Sequence, residues 1–419
     1  MILSGIVLIL LALMGAPLFA VIGASALFGF ARSDIPLTAV PIEIFGLAET
    51  PILLAIPLFT FAGYLLSESR AAARLVRLSS ALLGWLPGGL AMVAVATCSL
   101  FTAFTGGSGV TIIAIGALLY PALVQSGYKE GFTLGLVTSS GSLGLLFAPS
   151  LPLIIYGIIA EVSIDELFVA GILPGMLMML VLAAYCLWMN RANRRPISEF
   201  SWREVGQAAR ESIWELPLPF VVLGGIYSGL VAVSEAAAVT VVYVLVIETL
   251  VYREIPLRKL PGIVRDSMVL VGGILLILGI SLASTNYMID AQVPQMLIEL
   301  VTRYISSPTS FLFLLVGFLM VIGCILHIYS ALVLVVPLIL PVAAQYGVDP
   351  VHLGIIFVAT MELGYLLPPI GLNLYISSYR FEQPVLRVCA ATFPFVLILL
   401  VAVLLITFVS PLSLALTGR

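Results

Sequence analysis

The sequence predicts an all-α polytopic membrane protein whose core is an inverted repeat of a re-entrant hairpin followed by a broken helix. Three observations carry this reading. Of the 419 residues, 62% are hydrophobic and 9% charged, against about 25% charged in an ordinary soluble domain, so lipid must solvate most of the surface. Apolar segments recur along the whole length, and one crossing takes about 20 mostly apolar residues. Finally, Pro121, Gln125, Gly127, Leu143, Gly144, Leu146 and Pro149 match Pro341, Gln345, Gly347, Leu363, Gly364, Leu366 and Pro369 at one fixed offset of 220 residues. Chance matching in an apolar chain does not readily place two Gly pairs and two Pro pairs in one register, so related halves are the better account.

Taken in order, spans are expected near 2–30, 51–67, 131–160, 166–190, 213–232, 234–252, 267–289, 351–379 and 389–417, with shorter apolar pairs near 88–125 and 311–346. The first run has no acid or base before Arg32 and exceeds a signal-peptide core, which predicts a retained first helix. Arg70, Arg74 and Arg77, at helical spacing beside Leu75, Leu78 and Leu82, predict an interfacial amphipathic helix. Arg191, Arg194, Arg195, Arg203 and Arg210 form one basic stretch, and Arg253, Arg258, Lys259 and Arg265 another. The positive-inside rule puts both on the cytoplasmic side, with two short helices between them. Cys98, Cys186, Cys324 and Cys389 have neither pairing nor metal-ligand spacing and read as packing residues.

Each matching half has the same order of parts. An apolar pair, too short per arm to span comfortably, turns at a tip: Thr105-Gly-Gly-Ser-Gly109 in one half and Leu326-His-Ile-Tyr-Ser330 in the other. Such a turn can sit at membrane depth if it is buried in protein or lines a cavity. A long apolar segment then breaks in its middle, through Thr138-Ser-Ser-Gly-Ser142, Gly144 and Ala148-Pro-Ser-Leu-Pro152, and again through Met361-Glu-Leu-Gly364, Pro368-Pro-Ile-Gly371 and Asn373. Glycine frees the backbone and proline removes a donor. Concentrating both at mid-membrane costs several kcal/mol unless the freed carbonyls find a partner. A bound cation is such a partner, with Ser or Thr hydroxyls completing an oxygen shell. Proline kinks cushioned by neighbouring helices would explain the breaks alone, but not the hydroxyl cluster at 138–142.

At these residues the chain resembles the large membrane subunit of tripartite ATP-independent periplasmic (TRAP) transporters. The resemblance covers nearly the whole chain, and the blocks Pro149–Gly157 (PSLPLIIYG) and Leu367–Asn373 (LPPIGLN) are its most specific parts. It implies a permease, not an enzyme, in the bacterial inner membrane, taking up organic acids, often C4-dicarboxylates, with sodium as the coupling ion and no other cofactor. It also implies a small four-helix membrane subunit and a periplasmic substrate-binding protein as partners, with no nucleic acid. An elevator motion would carry a transport domain of 88–160 and 308–380 past scaffold helices at 1–87 and 161–307, with a C-terminal helix at 381–419. By position, one cation site falls around Ser108, Ser139, Ser140, Gly141 and Gly144, and a second around Ser330, Gly364 and Pro368. Thr138, Asn373 and His327 are the expected substrate contacts. Thr111 and His327 stand where many relatives carry acids.

Other readings start from single features. Gly106-Gly-Ser-Gly109 fits the nucleophile pattern of rhomboid-type intramembrane serine proteases, with His327 or His352 as base. A protease does not account for the 220-residue repeat. A non-coupled structural subunit does not account for the broken helices. Glu235 is read as a helix cap or an intramembrane functional carboxylate. Glu362 is expected to order the backbone of the second break, His352 to cap a helix or face solvent, and Tyr156 and Tyr375 to lie in the core. No arginine or lysine falls in either break, so the sequence shows no carboxylate clamp.

Overall fold

In the computed structural model the first apolar run is not one helix. Pro17 cannot supply a helical N–H, and the helix α1 starts after it, at Leu18–Arg32. The structure describes residues 7–418 apart from 9, 12, 13, 15, 34, 87 and 192–199, so part of the expected 2–30 segment, with Arg194 and Arg195, lies outside the described residues. The chain continues through α2 (Ala39–Ala48), α3 (Ala55–Glu68) and α4 (Ala71–Leu83). Next come α5 (Gly89–Thr105), α6 (Ser108–Gln125), α7 (Glu130–Ser140) and α8 (Leu151–Ala160). The middle of the chain forms α9 (Ile164–Ala170), α10 (Ile172–Met189), α11 (Trp202–Glu211), α12 (Pro217–Tyr227), α13 (Val233–Val246), α14 (Leu260–Asp290) and α15 (Val293–Tyr304). It ends with α16 (Pro308–Ile325), α17 (Ile328–Gln345), α18 (Pro350–Gly364), α19 (Leu372–Arg380) and α20 (Val385–Phe408). Among the described residues, eight helices are long and apolar enough to cross a membrane. A bent pair, Glu130–Leu146 with Leu151–Ala160 at 44°, makes a ninth.

The 220-residue offset extends from the seven identities to whole elements. Shifted by 220, the tip Gly106-Gly107 falls on Leu326-His327, α6 on α17 and α8 within one residue of α19. Both tips are two residues long, tighter than the five-residue stretches read from sequence. The arms are also longer than expected: three of the four have 18 residues, about 27 Å of helix. Length alone therefore does not make the hairpins re-entrant.

Packing follows a crossed pattern. The first arm of each hairpin lies against the pre-break helix of its own half, α5 on α7 and α16 on α18. The second arm lies against the post-break helix of the other half, α6 on α19 and α17 on α8. The two matching glycines make the first of these contacts possible. A Cβ on Gly364 would stand 2.5 Å from the Cα of Gly323, and one on Gly144 would run into the backbone of Ser99 and Ala103. Ala103 and Gly323 are themselves 220 residues apart.

Several single-residue expectations change. The Arg70–Arg77 stretch is a helix, but it is not simply a solvated face. Arg70 precedes α4, Arg77 pairs with Glu211 at the surface, and Arg74 is buried. The Arg74 guanidinium reaches Glu215 at 2.5 Å, Glu254 at 2.5 Å and Glu248 at 3.2 Å, and it lies 4.0 Å over the Tyr252 ring. Burial and the Glu215 carboxylate hold the Tyr252 phenol above its ordinary range, so it stays neutral beside the Glu211 carbonyl at 2.6 Å and Glu215 at 3.1 Å. His352 is buried, with Nε2 3.2 Å from the Thr407 carbonyl. The cap of its helix is Asp349, whose carboxylate accepts the N–H groups of Val351 and His352. Tyr375 is 48% exposed, whereas Tyr156 is fully buried and donates to the Pro350 carbonyl at 2.6 Å. Glu235 does cap, accepting the Ala232 N–H at 2.9 Å.

Candidate functional site

The two tips and the two breaks converge, because the crossed packing brings the start of α6 to the start of α19. The Ser108 hydroxyl donates to Asn373 Oδ1 at 2.8 Å across 265 residues of sequence. One turn further along α19, Ser377 meets Thr138 of α7 at 2.8 Å. The tips also touch each other: the Tyr329 hydroxyl donates to the Gly106 carbonyl at 3.1 Å. Tyr365, just after α18, accepts the N–H of Ile328 at 2.6 Å. The N–H groups of Ile370 and Gly371 both reach the Cys324 carbonyl at 3.1 Å, tying the second break to its own hairpin.

Around the first break, hydroxyl and carbonyl oxygens cluster. The Thr102 hydroxyl lies 2.8 Å from the Gly141 carbonyl, 2.8 Å from the Cys98 carbonyl and 2.6 Å from the Thr111 hydroxyl. Thr111 also faces the Gly107 carbonyl at 3.4 Å. Each hydroxyl carries one hydrogen, so Thr102 can donate to only one of these oxygens at a time, while the Gly107 carbonyl also accepts the Thr111 N–H at 3.3 Å. Ser140 spends its hydroxyl on the Leu136 carbonyl at 2.8 Å. The Ser139 hydroxyl and Asn373 Nδ2, both on fully buried residues, meet no partner among the described residues.

The expected residues are thus sorted. Ser108, Gly141 and Thr138 meet at the junction of the halves, and Asn373 joins them although it was grouped with the second break. Gly144 and Gly364 act first as close-packing positions. Ser330 is buried near the second tip, while Pro368 sits in the exposed part of the break beside Ile370, which is 51% exposed. His327 is an exposed tip residue whose Nδ1 faces the Tyr329 N–H at 3.4 Å and whose ring packs 4.8 Å from that of Tyr329. Thr102, Ser377 and Tyr329 were missed. Thr102 is a hydroxyl within an apolar arm, a signal that spacing alone does not separate from packing. Glu362 does not order the second break: it is 1% exposed and neither carboxylate oxygen has a hydrogen-bond partner among the described residues. Among the described residues Ser108 is hydrogen-bonded to the Asn373 amide and to neither histidine.

Residues 4–412 match the family model described as "Tripartite ATP-independent periplasmic transporter, DctM component". The chain belongs to the DctM family of TRAP large permeases. It is 35% identical to the C4-dicarboxylate TRAP transporter large permease protein DctM of Pseudomonas aeruginosa, over 90% of this chain and 88% of that one. It is 33% identical to the ectoine/5-hydroxyectoine TRAP transporter large permease protein UehC of Ruegeria pomeroyi, over 96% and 95%. With the isethionate TRAP transporter permease protein DctMQ of Oleidesulfovibrio alaskensis it shares 30%, over 96% of this chain and 64% of that one. The solved YdaH transporter of Alcanivorax borkumensis has a similar fold, with TM-score 0.66, 14% identity and 97% of both chains covered. This DctM-family chain is accordingly a multi-pass permease of the inner membrane.

Proposed function

We propose that this permease imports a small organic acid, driven by sodium, with the junction of the two breaks as its binding site. The observation that carries this is the unfilled chemistry there: the fully buried Ser139 hydroxyl and Asn373 Nδ2, neither with a hydrogen-bond partner among the described residues, beside the Gly141 carbonyl and the Thr102 and Thr111 hydroxyls. Hydroxyl and carbonyl oxygens suit a hard monovalent cation, and the amide N–H suits an anionic oxygen of the substrate. C4-dicarboxylate, ectoine and isethionate, named for three relatives, each present a carboxylate or sulfonate. The crossed packing supports movement of 88–160 and 308–380 as one body in an elevator motion, since each hairpin is clasped by the other half. The inverted orientation of the halves belongs to the same proposal. A small membrane subunit and a periplasmic binding protein complete the system.

Uptake into proteoliposomes, with both partners supplied, tests this reading. An inward sodium gradient should drive accumulation of at least one of the three candidate substrates. Ser139→Ala should raise the sodium concentration for half-maximal uptake by about tenfold, the worth of roughly one hydrogen-bonding group. Ser140→Ala should not, because its hydroxyl is already spent on Leu136. Equal sodium dependence in the two variants would move the cation away from Ser139.

A further inference from the structure

A cavity of about 580 Å³ lies between the start of α7, the end of α10 and the first half of α20, away from the junction of the breaks. Its position is that of a membrane–water boundary. Helix α10 runs out at Met189 into Arg191, whose guanidinium stands 5.7 Å over the ring of Trp188, itself 59% exposed. Exposed tryptophan and arginine together at a helix end are an interfacial pattern.

The cavity has a cationic mouth and an apolar wall. Lys129 and Arg387 stand at the mouth. Arg387 is balanced by Glu130 at 2.6 Å and also reaches Gln383 at 2.6 Å. Lys129 has no ion pair among the described residues, so one positive charge is left uncompensated. Lys129 is also the residue before α7, where the helix dipole adds partial positive charge that Glu130 in the first turn offsets in part. The wall is aromatic: Phe132 packs 5.6 Å from Phe395, and Tyr185 meets Phe395 edge-on at 5.1 Å. Gly131 has nothing within 4 Å of the Cβ it lacks, whereas Gly135, one turn deeper, has the Ala391 carbonyl in the place of its own. The space is therefore open at the mouth and closed at its inner end.

We propose that this cavity is a binding site for an anionic phospholipid, with the phosphate at Lys129 and the α7 N-terminus and an acyl chain along Phe132, Phe395 and Pro394. Charge complementarity selects the headgroup and the aromatic wall selects the chain. A membrane-embedded cavity with one free cation at its polar end and apolar walls fits that chemistry better than it fits a wholly soluble anion.

The test uses the full chain in mixed vesicles of phosphatidylglycerol and phosphatidylcholine, followed by extraction and native mass spectrometry of retained lipid. Wild type should retain phosphatidylglycerol preferentially. Lys129→Gln should lower that retention by about fivefold, the worth of one basic side chain at an anionic lipid surface, and leave phosphatidylcholine unchanged. Gly131→Leu, at a position with room for a side chain, should fill the mouth and lower retention of both lipids. Unchanged phosphatidylglycerol retention in both variants overturns the proposal. So does equal retention of the two lipids by wild type, or displacement of the lipid by glycerol phosphate alone, which would mark a site for a soluble anion. A Lys129→Gln protein that fails to fold leaves Gly131→Leu to decide.

Discussion

Arg74→Met should lower stability by about 3–5 kcal/mol, the cost of removing one partner from a buried ion cluster. The Arg74 guanidinium serves three carboxylates, on Glu215, Glu254 and Glu248, whose side chains are 3%, 17% and 1% exposed. Without it, the buried carboxyls of Glu215 and Glu248 and the partly buried one of Glu254 lose their counter-charge, and a buried carboxylate is costly to leave unpaired. The contacts also join α4, which packs on α5 of the first hairpin, to the segments on either side of α12 and α13. Arg74→Lys should recover only part of the loss, because an ammonium is a point charge and cannot fork to three partners. Arg77→Met is the matched control. Its pair with Glu211 is about half exposed, so its loss should cost under about 1 kcal/mol. Thermal midpoints of the purified proteins in one detergent make the comparison. Similar midpoints for Arg74→Met and Arg77→Met would mean that the buried cluster does not bear on stability.

Gly364→Val should be worse tolerated still, with a loss at or above about 4 kcal/mol and no uptake. The new Cβ would stand 2.5 Å from the Cα of Gly323 and 2.6 Å from its carbonyl carbon. Both are backbone atoms, so no rotamer change relieves the overlap and α16 must separate from α18. That separation would also pull the Cys324 carbonyl away from the N–H groups of Ile370 and Gly371, which hold the second break closed on its hairpin. Gly317→Ala in the same α16 is the control. Nothing lies within 4 Å of its missing Cβ, so alanine there should stabilise by about 0.5–1 kcal/mol. Monodispersity on size-exclusion chromatography and the thermal midpoint report the outcome. A well-folded Gly364→Val protein with an unchanged midpoint would show that the α16–α18 contact is looser than the backbone distances state.

How much was legible in the residues depended on whether the deciding interaction is local. Apolar run length placed most of the spans, though 213–232 holds only the 11-residue helix Pro217–Tyr227, and Gly and Pro placed both breaks, because hydration and backbone freedom are properties of a residue and its near neighbours. The repeat was legible for the same reason, since a fixed offset needs no knowledge of contacts. Even there, Pro17 was read through, although a proline in an apolar run is a local signal of a helix start. The chain by itself thus determined an all-α membrane protein with two matching hairpin-and-break halves.

Only the tertiary structure decided how the halves clasp. The Ser108–Asn373 bond spans 265 residues and the Tyr329–Gly106 bond 223. Residues 351–364 of α18 are buried on every side, so no polar stripe could announce which face meets which neighbour. The periodicity of α4 does mark a polar face, and an isolated helix would turn all of that face to water or headgroups. Arg74 instead turns inward because Glu215, Glu248 and Glu254, at least 141 residues away in sequence, arrive beside it. A guanidinium follows its carboxylates, and where those stand is set by the packing of other helices, which no local pattern encodes.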